Sequence, residues 1–418
     1  MRGVRKFIET INPGKTSRQS VAVNWHTLIM VVFNEIVVIG AGIGGLATAL
    51  SLRKRNINVR VIEQAEKLLD VGAGVQISAN GFRVLSALGI GTKIFTCAVQ
   101  ARSVELIDHK TAQKVCVLNL EKFNKSLKHF FLHRADLINV LFDACVKSGV
   151  LFSFGERVLS VSNDHKLEIV TSSGYYFPSL VVCADGVNSI GRASLLGPVA
   201  PSFTGYVAWR ALIPNTTNHA DVAKIYMGPK KHVVSYPIRD RSLLNLVLIE
   251  ERNSWTKEGW SHKGDAENLR ESFCAFNFGI GDLLSQVQEP YLWGLFRHPV
   301  AEKWYADGIV LLGDAAHPTL PFMAQGANLA LEDAWILARC LSEASMPEKG
   351  MQNYQEKRKN RVERIISVAE RNAWKYHLSF PPLKWAAHKS MWAMSKVVPN
   401  RMVRHFDWIY RYDVTVED

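Results

Sequence analysis

Gly40-Ala-Gly42-Ile-Gly-Gly45 sets three glycines at the spacing of a backbone turn that can hold phosphates. The first glycine permits a sharp strand-to-helix reversal, the second lets a pyrophosphate approach the main chain, and the third lets the helix lie close on the sheet. Free amides and the positive end of the helix dipole then face the phosphates. Glu63 comes eighteen residues after Gly45, where a carboxylate accepts hydrogen bonds from ribose hydroxyls. The combination predicts dinucleotide binding, and the turn by itself fits FAD or NAD(P).

Two further acids stand at the ends of apolar runs, in Cys183-Ala-Asp185-Gly186 and in Gly313-Asp314-Ala-Ala-His317-Pro318. The carboxyl ends of strands are the side on which open α/β sheets bind ligands. Asp314 is suited to accept a bond from a ribityl hydroxyl. Gly326 and Ala327 open a helix carrying Leu329, Leu331, Ala334, Ile336 and Leu337. The first amides of that helix can face the electron-rich N1–C2=O edge of a flavin.

Hydropathy patterning supplies the elements that must hold these residues. The β-branched run from Asn34 to Ile39 predicts a buried parallel strand, Leu46 to Leu52 an apolar helix, and Asn58 to Glu63 a second strand. Ser103–Asp108 and Lys114–Leu120 alternate as strands of an inserted sheet. Arg134 opens a helix through Leu141 and Cys145, with Asp136 as a cap or first-turn acid. Between Phe203 and Glu250 four β-runs follow one another, predicting a mixed or antiparallel second sheet, and residues 254–290 read as helical and polar. Gly308 to Asp314 returns to the first sheet.

The length of 418 residues, with 48% hydrophobic and 21% charged, supports a large core and excludes a disordered or fibrous chain. No apolar window has the length of a membrane span, about 18 residues. Six cysteines stand singly, without the spacing of a zinc site or a disulfide frame, so reduced thiols in a cytoplasmic protein are expected. Residues 1–33 are basic and acid-poor. Because Met30 stands just before the first strand, they read as an N-terminal extension that need not be native.

In their order and separations, Gly40-x-Gly42-x-x-Gly45, Asp185-Gly186 with Arg192, and Gly313-Asp314 with Pro321 and Gly326 resemble the single-component FAD-dependent aromatic hydroxylases. The runs Val71-Gly-Ala-Gly74-Val-Gln-Ile-Ser-Ala-Asn80, His133-Arg134, Tyr206-Val-Ala-Trp-Arg210 and Phe322-Met-Ala-Gln325 are most similar to their salicylate hydroxylase-like branch. The resemblance implies an α/β fold: a Rossmann-like FAD-binding domain (34–200 and 300–345), an inserted mixed β-sheet substrate domain (201–299) and a C-terminal helical tail (346–418). It implies a flavin reduced by NAD(P)H that reacts with O2 to a C4a-hydroperoxide and hydroxylates a phenolic acid such as salicylate or a hydroxybenzoate. Glu63 would hold the adenosine ribose, Arg134 the pyrophosphate or ribityl region, Asp314 the ribityl chain, and the Gly326 and Ala327 amides the isoalloxazine. Gly74 would lie against the flavin, and Asp185 would serve FAD and NAD(P)H jointly.

His232 and Tyr236 lie four apart on a predicted strand, hence on one face. Relatives use a His and a Tyr at this spacing near the substrate phenol, so either is a candidate to take the phenolic proton. Arg210 and Arg239 are read as surface cations ahead of carboxylate partners. In the tail, Val362, Ile365, Ile366 and Ala369 form an apolar stripe beside Arg358, Arg361 and Arg364, followed by a basic stretch with Phe380, Trp385, Trp392 and Trp408. A helix packed on the sheet is the preferred reading, with weak membrane-surface contact as the other. The membrane reading would suit an alternative function, a ubiquinone-pathway hydroxylase acting on a prenylated phenol. The net charge of +12 fits anionic ligands in a monomer or homodimer and, without a zinc, helix-turn-helix or RNA-stacking signature, does not indicate nucleic acid.

Overall fold

The computed structural model describes residues 35–68, 72–120, 127–255, 262–276, 279–397, 404 and 406–416. The expected extension, residues 1–33, lies outside them, as does Val71 of the Val71–Asn80 run.

The run Ile36–Ile39 is fully buried and pairs in parallel with Val59–Ile62 on one side and Leu180–Cys183 on the other. β-branched side chains fit a strand covered on both faces. Leu151–Ser153 adds to one flank, and Ile309–Leu311 with Tyr305–Ala306 to the other, giving six strands. All pairings are parallel except the last, so Gly40, Glu63, Asp185 and Asp314 emerge from the carboxyl ends of four adjacent strands. Ahead of Asp185 the chain forms two short strands, Tyr175–Tyr176 and Leu180–Cys183, with Pro178 between them.

Helix Ile43–Arg53 is buried over most of its circumference, between helices Arg134–Lys147 and Gly326–Glu343. Gly45 permits this packing: a Cβ there would fall 1.9 Å from the Gly40 carbonyl oxygen. Gly40 itself has φ +98°, in the left-handed region that favours glycine.

The second sheet has seven strands, in the order Tyr291–Arg297, Ser202–Pro214, Leu243–Glu251, Lys231–Ile238, Val222–Gly228, Ser103–Asp108 and Lys114–Asn119. The four runs read between Phe203 and Glu250 form its centre. The two strands read as an inserted sheet extend the same sheet, through a parallel pairing of Val222–Gly228 with Ser103–Asp108. Alternation sorts its faces. Val207, Trp209, Ala211, Val233, Leu246 and Leu248 pack on Leu269, Phe273, Ile280 and Leu283 of the short helices Ala266–Ser272 and Ile280–Ser285. The opposite, inner face carries Tyr206, Ala208, Arg210, His232, Tyr236, Asn245 and Ile249.

The first tail helix, Pro347–Tyr376, buries Met351, Tyr354, Val362, Ile365 and Ala369. Arg358, read from sequence as one of several cations beside the apolar stripe, is fully buried between helices. Its Nη1 donates to Glu332 at 2.6 Å and its Nε to Asp333 at 2.7 Å, while Arg361 donates to Glu332 at 2.8 Å. Two carboxylates thus face two guanidiniums in the core. The second tail helix, Pro381–Val397, runs beside Lys114–Asn119, and Lys384 pairs with Asp108 at 2.6 Å. Leu383, Trp385 and Trp392 on that helix are exposed. Among the described residues, no helix is long and apolar enough to cross a membrane.

Burial alone would raise the pKa of both acids, but Arg358 and Arg361 hold Glu332 below its ordinary value, and His317 and Arg358 do the same for Asp333. Their stabilisation is therefore complete above the ordinary values of 4.5 and 3.8 and is lost as pH falls through that range toward the lower folded values. Thermal unfolding between pH 7 and pH 3 should show a falling midpoint in wild type. Arg358→Met should cost about 3–5 kcal/mol at neutral pH in chemical denaturation, because it strands buried charge. Gly45→Ala should destabilise by about 1–3 kcal/mol, since the new methyl meets backbone that cannot yield.

Candidate active site

The site is built where the carboxyl edge of the six-stranded sheet meets the inner face of the seven-stranded one. At the edge, Glu63 accepts from the Ala41 amide at 2.8 Å and from the Ala65 amide at 2.9 Å, which ties the second strand to the glycine turn. Gly42 begins the first helix with no side-chain cap, and a Cβ on it would have nothing within 4 Å. The turn is therefore open on the side where phosphates would lie.

Asp185 accepts from the Ile190 amide at 2.7 Å through Oδ2, while its buried Oδ1 has no hydrogen-bond partner among the described residues. Burial pushes this carboxyl above its ordinary pKa. Arg192 reaches from the same turn to the Pro299 and Ala315 carbonyls, linking it to the Gly313–Ala315 turn that carries Asp314. Burial also raises the Asp314 carboxyl, with His317 and Arg134 pulling the other way. A Cβ on Gly326 would stand 4.0 Å from Asp314 Oδ1, so the acid lies beside the start of the Gly326–Glu343 helix. The Gly326–Glu343 helix again lacks a side-chain cap: the Gln325 side chain turns to Ser78 and Asn80 instead. Two uncapped helix starts and two acids with spare acceptor capacity converge on one edge. That donor and acceptor set fits the phosphates, the ribityl hydroxyls and the flavin edge of FAD.

Gly74 lies in strand Gly74–Ile77, which pairs antiparallel with Phe130–His133 and so sits next to Arg134 in the fold. A Cβ on Gly74 would fall 2.6 Å from the Tyr236 hydroxyl oxygen and 2.8 Å from Asn245 Cγ, and the Gly74 amide donates to Asn245 Oδ1 at 2.7 Å. Close approach to the second sheet thus demands a glycine here, a reason the sequence did not supply.

On the inner face, His232 and Tyr236 are both buried and share one side, as their spacing predicted. Tyr236 packs on Phe131 at 4.8 Å between ring centroids. Burial pushes its hydroxyl well above the ordinary phenol value, against the pull of Arg210, so it stays protonated at neutral pH. His232 lies 6.2 Å from the ring of Phe322, in the Pro321–Met323 turn that leads into Gly326. This turn joins the Gly326–Glu343 helix to the polar sheet face.

Arg210, read as a surface cation, instead stands on the inner face, 4.9 Å over the Trp293 ring and within electrostatic reach of Tyr236 and Arg134. Its alternation with Val207 and Trp209 was the available signal, because residues facing the helices cannot share its side. Arg239 is bound bidentately by Asp136 and is occupied there. Sequence reasoning also missed Asn245, whose buried Nδ2 has no hydrogen-bond partner among the described residues, and His377, which hydrogen-bonds His232 from 145 residues away.

A family model described as an FAD binding domain matches residues 34–369. The chain is 31% identical to the 3-amino-4-hydroxybenzoate 2-monooxygenase of Streptomyces cremeus, over 83% of this chain and 89% of that protein. It is 30% identical to the 3-hydroxybenzoate 6-hydroxylase of Polaromonas naphthalenivorans, over 91% of this chain and 96% of that protein. Among solved structures, a salicylate hydroxylase substrate complex shares the fold with a TM-score of 0.75 at 22% identity, covering 91% of this chain and 96% of that one. Klebsiella pneumoniae HpxO complexed with FAD and uric acid does so with a TM-score of 0.77 at 22% identity, covering 88% and 96%. The chain belongs to the FAD-binding-domain family, as an FAD-dependent aromatic monooxygenase that draws on NAD(P)H.

Proposed function

We propose that this monooxygenase hydroxylates a small phenolic acid, a salicylate or hydroxybenzoate. One observation carries this reading: a guanidinium, an imidazole and a phenol, those of Arg210, His232 and Tyr236, share the sheet face beside the Phe322 turn. That trio matches a carboxylate, an ionisable hydroxyl and an aromatic ring. FAD, when bound, supplies the redox chemistry that activates O2 with electrons from NAD(P)H.

The protein's own residues have separate tasks. Arg210 holds the substrate carboxylate by a charge-assisted bond that low local polarity strengthens. His232, kept neutral by burial, takes the phenolic proton and so enriches the ring with electrons. Tyr236, kept protonated, donates a hydrogen bond and orients the substrate; it is a poor candidate for the base at neutral pH. The Asn245 amide offers a further donor.

For the cofactor, the Gly42 turn takes the pyrophosphate and Glu63 the adenosine ribose. Arg134 takes the pyrophosphate or ribityl region, Asp314 the ribityl hydroxyls, and the Gly326 and Ala327 amides the isoalloxazine edge. Asp185 serves both nucleotides through its spare oxygen. We place the enzyme in the cytoplasm, where its free cysteines stay reduced, as a monomer or homodimer. The exposed aromatics of the second tail helix support weak contact with a membrane surface.

The reading is tested by NADH and NADPH oxidation across a panel of phenols with product analysis. Hydroxybenzoates should stimulate oxidation and appear as hydroxylated product; oxidation that no phenol stimulates would sink the assignment. Arg210→Met should raise KM for carboxylated phenols about 10- to 100-fold, the equivalent of a lost bond to a charged group. It should leave phenols without a carboxylate nearly unaffected. Gly42→Ala, at φ −75° and ψ −178° in open space, should keep the apoprotein's stability while weakening FAD binding about tenfold or more, some 1.4 kcal/mol.

A further inference from the structure

A hydrogen-bonded line of three side chains runs from the sheet face to the surface. His232 Nδ1 lies 2.7 Å from His377 Nε2, and His377 Nδ1 lies 3.0 Å from Glu251 Oε1. His232 is 2% exposed and His377 5%, whereas the Glu251 side chain is 35% exposed. His377 follows the first tail helix and is fastened to the sheet by the Lys230 amide, which donates to its carbonyl at 3.3 Å. Its ring packs edge-on to Tyr206 at 5.3 Å, on the side of the sheet that holds His232.

The end of the line fixes the hydrogens along it. An ionised carboxylate only accepts, so His377 Nδ1 must carry its hydrogen toward Glu251. In a neutral imidazole the other nitrogen is then an acceptor, so His377 Nε2 accepts and His232 Nδ1 donates. That leaves His232 Nε2 as the acceptor nitrogen. Burial favours the neutral ring at both histidines, for His232 reinforced by His377 and for His377 opposed by Glu251.

We infer that His377 and Glu251 are positioning residues that set His232 in the tautomer able to act as a base and conduct its proton to solvent. The inference rests on the assignment of His232 as the base for a phenolic substrate. In the step, the phenol O–H bond breaks and the proton joins His232 Nε2. The Nδ1 proton of His232 passes to His377 Nε2, and the Nδ1 proton of His377 passes to Glu251 Oε1, which exchanges it with water. One proton leaves the substrate, one reaches solvent, and nothing is oxidised or reduced. The relay gives the tail a reason to lie over the sheet, because His377 is the group that carries the proton on from His232 to Glu251.

The test has two readouts on the full-length, FAD-loaded protein. Long-range nitrogen–proton spectra of histidine-labelled enzyme should show His232 and His377 as Nδ1–H tautomers at neutral pH, assigned through His377→Asn; His232 protonated on Nε2 would overturn the relay. In steady-state hydroxylation of a hydroxybenzoate, His377→Ala and Glu251→Gln should keep FAD content and substrate affinity. The hydroxylation rate should fall about 100-fold in His377→Ala, the low end of what lost proton-transfer catalysis costs, and by a smaller factor of about 10 in Glu251→Gln, which keeps a hydrogen-bonding side chain. Added imidazole should recover part of the His377→Ala rate, which a merely structural role would not produce. Wild-type hydroxylation that persists undiminished in both variants overturns the relay alone. A wild-type enzyme that hydroxylates no phenol overturns the functional assignment and, with it, the relay.

Discussion

Two carboxylates and two guanidiniums buried between the Gly326–Glu343 and Pro347–Tyr376 helices fix the parts of this molecule that have to meet. Asp333 also accepts from the Gly313 amide at 3.3 Å and bonds His317 at 2.5 Å, which anchors the turn carrying Asp314. Glu332 accepts from Asn80, and Asn328, one turn before it on the same helix, receives the Ser78 amide and donates to the Gln76 carbonyl. The start of the Gly326–Glu343 helix, the Asp314 turn and the Gly74 strand are thus referenced to one charged cluster. Low polarity makes such a cluster strong when complete and costly when broken, so it enforces a single arrangement.

From that anchor the division of labour between the sheets follows. Parallel pairing brings four strand ends into line, and two helices without side-chain caps begin beside them, which is a donor set suited to an anionic cofactor. Antiparallel alternation in the second sheet separates a dry face, packed on helices, from a face that carries Arg210, His232, Tyr236 and Asn245 together. Gly74, in the small sheet that pairs Gly74–Ile77 with Phe130–His133, lets that sheet come close against Tyr236 and Asn245.

What the sequence made legible was local. The glycine turn, Glu63, Asp185 and Asp314 announce themselves because strand, turn and helix are contiguous, and the four runs from Phe203 to Glu250 carry their own alternation. His232 and Tyr236 could be set on one face by parity alone. Long-range partners left no such trace. Arg358 resembled its solvated neighbours, and only the adjacent acids Glu332 and Asp333 inside an apolar helix hinted that a cation had to be buried with them. His377 and Glu251 are unremarkable until folding brings the tail across the sheet. The same blindness applied to Ser103–Asp108 and Lys114–Asn119, since strand pattern shows alternation but not which sheet accepts the strand.

The claim that unites these features is that the charged cluster and the polar sheet face serve oxygen insertion into a phenolic acid. Turnover of a hydroxybenzoate with NAD(P)H under isotopically heavy O2, read by mass spectrometry, tests it most directly. One heavy oxygen atom in the new ring hydroxyl is the predicted result. A product labelled from water, or a substrate recovered unchanged while NAD(P)H is consumed, would contradict it.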